Sequence, residues 1–366
     1  MTTAPTRAVP KPARVEHHSV FSHPDFIADS PHEQVIFCRD AASGLRAIIA
    51  IHSTALGPAL GGTRFYPYAC EADALGDVLR LSRGMTFKAA AAGLRLGGGK
   101  AVIIGDPATD KSAELLRAYG RFVDGLAGRY ITAGDVGTTA DDMDVIAETT
   151  VHVAARTKER GGSGDTAPMT ALGVFSALSA AAERVWDSGD LAGRVVGVEG
   201  IGKVGAQLTE LLLAAGAAVV VADPNPAATE AICRRFPSVV AVDDVRAAAV
   251  DIYAPCALGG TVTPEFARQT TARIICGAAN NQLSSATVED TLRTRSVLWV
   301  PDYIANAGGL IQAFGERQGS TDEQVRNQVR ALHASTQRVL DMSFEQHVTA
   351  GAAARRLAFE RLSHAH

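Results

Sequence analysis

The chain has 366 residues, 47% of them hydrophobic and 20% charged, with a net charge of −4 at pH 7. That length buries a sizeable core and suits two domains, while the weakly acidic balance gives no support to a role on nucleic acid or at a membrane surface. The five cysteines (Cys38, Cys70, Cys233, Cys256, Cys276) are odd in number and include no C-x-x-C pair, which argues against a disulfide framework or a zinc site and for a reducing cytoplasm.

Residues 1–18 are rich in Pro, Ala and Thr and lack the apolar core of a signal peptide, so a disordered tail is expected. Gln34 to Phe37 and Leu45 to His52 read as two strands joined by a turn. Gly57 to Tyr68 (GPALGGTRFYPY) reads as a loop whose paired glycines, Gly61 and Gly62, would let backbone approach a ligand. A helix is expected over Glu71 to Lys88, which sets Lys88 near a helix end.

Gly84 to Ile104 (GMTFKAAAAGLRLGGGKAVII) then places Lys88 and Lys100 in one largely uncharged setting. A lysine becomes a useful base when burial or a neighbouring cation lowers its pKa, and this stretch supplies both conditions. Gly97, Gly98 and Gly99 read as a turn open to a ligand, followed by a short strand at Ala101 to Ile104. A surface lysine on a flexible loop is the plainer alternative. Ser112 to Leu126 reads as an amphipathic helix and Tyr130 to Thr132 as a strand running into AGDVGTTADDMD. Asp141, Asp142 and Asp144 look like a solvated first helical turn. Asp135, between Gly134 and Gly137 after a strand, suits either a pocket rim or a capping turn.

Gly161, Gly162 and Gly164 suggest a hinge, and a helix from Met169 to Val185 follows. Arg194 to Val198 is an expected strand, then Gly200-Ile201-Gly202-Lys203-Val204-Gly205, a helix stopped by Gly216, a strand Ala218 to Ala222, and Asp223. This is a complete βαβ dinucleotide fingerprint, with the acid placed to accept from a ribose 2′-hydroxyl, which favours NAD over NADP. Lys203 reads as a solvated side chain within it. The run Leu211 to Ala222 is too short to cross a bilayer. Strands at Val239 to Val242, Asp251 to Ala254, Arg273 to Cys276 and Val297 to Val300 extend a doubly wound sheet, with PCALGGT (Pro255 to Thr261) and GAANNQL (Gly277 to Leu283) as ligand-type loops. YIANAGG (Tyr303 to Gly309) opens a helix, and single amphipathic helices are expected over Glu323 to Leu340 and Thr349 to Leu362.

Taken together, GPALGGTRFYP, GMTFK, GLRLGGGKAVI, YITAGDVGTTADDMD, GIGKVG, DIYAPCALGG, GAANNQL and PDYIANAGG resemble, in order and spacing, the glutamate/leucine/phenylalanine/valine dehydrogenases, over about His32 to Gly315. The wording is closest to the valine and leucine branch. The resemblance implies an α/β chain of two domains divided by a cleft: a substrate domain at 19–154, onto which helix 349–366 packs back, and a Rossmann-type NAD-binding domain at 155–348. It implies that Lys88 pairs with the substrate α-carboxylate with help from Asn280, that Lys100 is the general base activating water, and that Asp135 binds the amino group. It further implies that Thr170 and Asn280 flank the nicotinamide, that Cys256, Ala257 and Ala278 line the cofactor cleft, and that no metal takes part.

Hydride would leave the α-carbon for NAD, and the resulting imine would take up water and release ammonia. In the glutamate branch a lysine before the Gly-Gly pair and a serine after NAGG hold the γ-carboxylate; here Leu60 and Ala313 stand there. Burying a carboxylate against them would cost several kcal/mol, so glutamate is a poor candidate. Ala133 and Leu310 complete an apolar pocket suited to valine, leucine or isoleucine, with phenylalanine or tryptophan as the alternative. A hydroxy-acid dehydrogenase sharing only the nucleotide domain and a catalytically silent NAD-binding regulator are the readings from other classes. A homo-oligomer with small-molecule partners alone is implied.

Overall fold

The computed structural model describes residues 31–364, so the expected tail lies outside the described residues. Strands β1 (Gln34–Asp40) and β2 (Leu45–Ser53) form an antiparallel hairpin, and β2 pairs antiparallel with β4 (Gly97–Ile104). Strand β3 (Ala59–Tyr66) runs parallel between β4 and β5 (Tyr130–Gly134), giving a five-stranded sheet of order β1-β2-β4-β3-β5. Because successive side chains on a strand point to opposite faces, Ile48 and Ala50 meet helix α1 (Glu71–Ala91) through Val78 and Leu79. Ile49 and Ile51 meet α2 (Ala113–Asp124) and α3 (Ala140–Ile146) on the other face, through Leu116, Tyr119 and Met143.

Two expectations for this half fail for one reason. Gly57 to Tyr68 contains β3 rather than a loop, and Gly97 to Gly99 belong to β4 rather than to an open turn. The glycines there fit protein against protein. A Cβ on Gly61 would fall 1.7 Å from Gly99 O, one on Gly98 would fall 2.1 Å from Thr86 N of α1, and one on Gly97 would fall 2.0 Å from Ser53 O. Nor are the acids of α3 merely solvated. Thr139 and Asp142 form a capping box, Asp142 pairs with Lys111 at 2.7 Å, and Asp144 pairs with Arg156 at 3.0 Å.

The second half holds a six-stranded parallel sheet of order β11-β10-β9-β6-β7-β8. Its strands are β6 (Val195–Glu199), β7 (Ala218–Ala222), β8 (Val240–Ala241), β9 (Ile252–Pro255), β10 (Ile274–Ile275) and β11 (Leu298–Trp299). Read from the β8 edge, this is third-second-first-fourth-fifth-sixth, the doubly wound order whose ligands bind at the strand C-termini. Helices α4 (Ala167–Trp186) and α5 (Lys203–Ala214) cover one face through Leu178, Leu208 and Leu212. The opposite face is covered by α7 (Pro264–Gln269) and α8 (Thr287–Thr294), through Phe266 and Leu292, while α6 (Pro226–Arg235) links β7 to β8.

Beyond β11 come α9 (Asp302–Ala305), α10 (Gly308–Gln318), α11 (Asp322–Arg330), α12 (Leu332–Glu345) and α13 (Ala350–Ser363). The single helix expected at Glu323 to Leu340 is therefore two, divided at Ala331, which caps α11 and opens α12. Helix α13 returns to the first half, where Arg361 Nη1 donates to Ala90 O and Ala91 O (2.6 Å each) at the end of α1. The segment 155–165 connecting the halves is fastened to α10 by Glu316, whose Oε2 accepts from Ala155 N (3.0 Å), Ser163 N (2.8 Å) and Ser163 Oγ (2.6 Å). Among the described residues no helix is long and apolar enough to cross a membrane.

Candidate active site

Lys100 points from the centre of β4 and is buried, with 7% of its surface exposed. A buried ammonium needs a partner. Here Asp135, just past β5, supplies it, with Nζ and Oδ2 2.5 Å apart. Gly62 makes the room, since a Cβ there would fall 2.8 Å from Asp135 Cβ. Arg64 Nε lies 3.4 Å from the same Oδ2, while Arg64 Nη1 holds Asp77 at 2.8 Å. Burial works to raise the Asp135 carboxyl, but Lys100 and Arg64 outweigh it and hold the group below the usual carboxylate range.

Lys88 occupies the last turn of α1. Its ammonium is crowded by protein, and that burial pushes its pKa down to about 8; Lys100 pushes the same way, against the opposing charges of Asp302 and Asp135. Its hydrogen-bond partner comes from the other half: Lys88 Nζ donates to Asn306 Oδ1 at 2.7 Å. Asn306 Nδ2 in turn donates to Ala278 O (3.1 Å) and to Asn280 Oδ1 (2.8 Å). Asn280 thus reaches Lys88 through Asn306.

On the apolar side, Leu60, Leu310 and Ala313 share one buried cluster with Ile131 and Met169. Ala133 sits opposite Gly62 on the β3–β5 ladder. Thr170 is in the first turn of α4, and a Cβ on Gly309 would fall 2.9 Å from its Oγ1, so the start of α10 rests against it.

At the C-terminal edge of the parallel sheet, Gly200 adopts φ +93°, a left-handed conformation that glycine takes without strain. A Cβ there would also meet Ala257, and one on Gly205 would fall 1.9 Å from Gly200 O. Gly202 is different. It caps α5 without a side-chain cap, and nothing lies within 4 Å of where its Cβ would be; a helix start of this kind suits a phosphate. Asp223 Oδ2 accepts from Ile201 N (2.7 Å) and Oδ1 from Asn225 N (2.8 Å), which leaves acceptor capacity on each oxygen. Val204 packs on the sheet core, and Lys203 is mostly exposed, 3.5 Å from Asp165. Cys256 N donates to Glu199 O at 2.7 Å, and burial pushes its thiol up to about 12, which removes it as a nucleophile. The residues present fit a dinucleotide.

Sequence reasoning missed Arg64, Asp302 and Asn306, although all stand inside the quoted motifs. The available signal was that two buried lysines demand polar partners. Which residues answer that demand depends on contacts as distant in sequence as Lys88 and Asn306.

A doubly wound parallel sheet with an open glycine turn, in one chain with a buried lysine–aspartate pair, is the arrangement of a nicotinamide-dependent oxidoreductase. The family model described as "Glu/Leu/Phe/Val dehydrogenase, dimerisation domain" matches residues 32–152, and "Glutamate/Leucine/Phenylalanine/Valine dehydrogenase" matches residues 227–366. The chain belongs to this family of amino-acid dehydrogenases, oxidoreductases acting on the CH–NH2 group. It is 50% identical over 338 residues to the valine dehydrogenase of Streptomyces albus, covering 91% of this chain and 93% of that one. It is 46% identical over 332 residues to the leucine dehydrogenase of Bacillus subtilis, covering 90% and 91%. Among solved structures, L-tryptophan dehydrogenase from Nostoc punctiforme superposes with a TM-score of 0.80 at 43% identity, covering 91% of this chain and 96% of that one.

Proposed function

We propose that the protein catalyses the reversible, NAD-dependent oxidative deamination of a hydrophobic L-amino acid, with valine, leucine and isoleucine favoured, to the 2-oxo acid, ammonia and NADH. The observation that carries this reading is the buried Lys100–Asp135 pair set beside Lys88, in a chain where Leu60, Ala133, Leu310 and Ala313 are buried and uncharged. Charged Lys88, steadied by Asn306 and Asn280, binds the α-carboxylate. Asp135 accepts a hydrogen bond from the substrate amino group. Lys100 in its neutral form takes a proton from the attacking water, and at 2.5 Å the proton can pass to Asp135. A bound NAD would supply the acceptor for the hydride of the α-carbon. Gly200, Gly202, Gly205 and Asp223 would hold it, and Thr170, Cys256, Ala257 and Ala278 would line its cleft.

The small side chains of Ala133 and Ala313 favour one second reading, an aromatic substrate. We assign the chain to the cytoplasm from its five unpaired cysteines. We also assign it to a homo-oligomer, from the matched dimerisation domain and the exposed Phe37 (58%) on edge strand β1. The substrate half is taken to end near residue 154.

NADH formation at alkaline pH with L-valine, L-leucine, L-phenylalanine, L-tryptophan and L-glutamate tests the reading. Activity on the hydrophobic members, reduced about 10²–10⁴-fold in Lys100→Ala, is expected. Activity on glutamate alone, or none on any amino acid while NADH still binds, overturns it.

A further inference from the structure

Asp302 opens α9, and both its carboxylate oxygens are engaged: Oδ2 accepts from Asn281 N, and Oδ1 from Tyr303 N at 2.9 Å. Asn281 stands at φ +53°, a left-handed conformation that non-glycine residues hold only when their surroundings impose it. Its carbonyl is fixed as well, accepting from Gly260 N at 2.7 Å. The preceding residue, Asn280, contacts Asn306, which contacts Lys88. Asn306 N donates back to Asp302 O at 2.8 Å. The contacts therefore form a closed ring that begins and ends at Asp302 and has the Lys88 ammonium on its rim.

We propose that Asp302 is a positioning residue for the carboxylate-binding end of the cleft: it locks the Asn281 turn that aims Asn280, and its charge keeps Lys88 in the form that binds an anion. This rests on the reading of Lys88 as the carboxylate-binding lysine. The charged groups facing Lys88 are Asp302 from α9, Lys100 from β4 and Asp135 beyond β5. Asp302 favours the ammonium and Lys100 opposes it. Burial pushes the Asp302 carboxyl itself above its ordinary range, while the two backbone N–H donors and Lys88 favour its charged form. Removing that charge lets Lys88 lose its proton at lower pH.

The test is kcat and KM for the best amino acid of the panel across pH 7 to 10.5, in wild type and Asp302→Asn, with NADH affinity from its fluorescence. In the variant the KM is expected to rise about tenfold, with its upturn beginning about one pH unit lower. The kcat should stay within about threefold, since the Lys88 charge acts on carboxylate binding, and NADH affinity within about twofold, since the Asn306 contact still holds Asn280. An unchanged KM profile overturns the proposal. So does a loss of activity that is uniform at every pH and accompanied by a fall in Tm, because that is a purely structural role.

If Asp302→Asn does not fold, Asp302→Asn combined with Asn281→Gly relieves the turn, since glycine accepts φ > 0 freely. The folded double variant should keep the shifted profile, and a wild-type profile there overturns the charge role. Wild type inactive on every amino acid would instead sink the reading of the site, and this proposal with it.

Discussion

Each half of the molecule contains a glycine-rich stretch next to residues of the site, and the two are used in opposite ways. Gly97 to Gly99 lie inside β4, with Ser53, Thr86 and the Tyr130 ring occupying the space where side chains would be. Gly202, in the second stretch, faces nothing. The first set of glycines lets a helix and three strands close up behind Lys100; the second leaves room for a ligand in front of a helix. Glycine density alone does not separate the two uses, and the neighbours of each missing Cβ do.

The largest effect should come from filling the first stretch. Gly98→Ala would set a Cβ 2.1 Å from backbone of α1, which cannot give way, so a loss of about 3 kcal/mol or more in denaturant unfolding is expected, the upper end for overpacking. Stability close to wild type would erase the contrast. Gly202→Ala should do the reverse. Its space is open and its φ of −73° suits any residue, so unfolding should change by no more than about 0.5 kcal/mol. NADH binding, measured by fluorescence titration, should weaken about tenfold, or about 1.4 kcal/mol, as the methyl group intrudes on the phosphates.

The smallest effect concerns Lys88, in the last turn of the helix that Gly98 packs against. Lys88 titrates near 8 in the folded chain against an ordinary 10.5, so between those values the unfolded chain binds more protons and folding gains stability as pH rises. Lys88→Met removes that slope. The Tm of wild type relative to the variant should therefore climb from pH 8 to 10.5, and a flat difference would place Lys88 in solvent.

Local signals were legible in the sequence, and contacts between distant segments were not. The GIGKVG turn, its flanking strands and Asp223 are specified within one short βαβ unit, and the structure returns them within a residue or so. Strand β3 escaped because Gly61 and Gly62 break the apolar run that marks a buried parallel strand. The reason for those glycines, the approach of Gly99 O and Asp135, comes from other strands. The break at Ala331 carries no Gly or Pro to announce it. In the site, Lys88, Lys100 and Asp135 were readable as types in place, whereas Asn306 as the link between Lys88 and Asn280 belongs to the meeting of α1 with α9 and α10.

The return of α13 to α1 has a mechanical consequence. The chain passes between the halves twice, once along the segment fastened by Glu316 and once on the way into α13. Between those crossings the buried cluster of Leu60, Ala89 and Ile131 with Leu310, Ile311 and Ala313 joins the two halves as well. Movement of one half against the other would therefore have to shear a packed core and not merely turn about the two crossings.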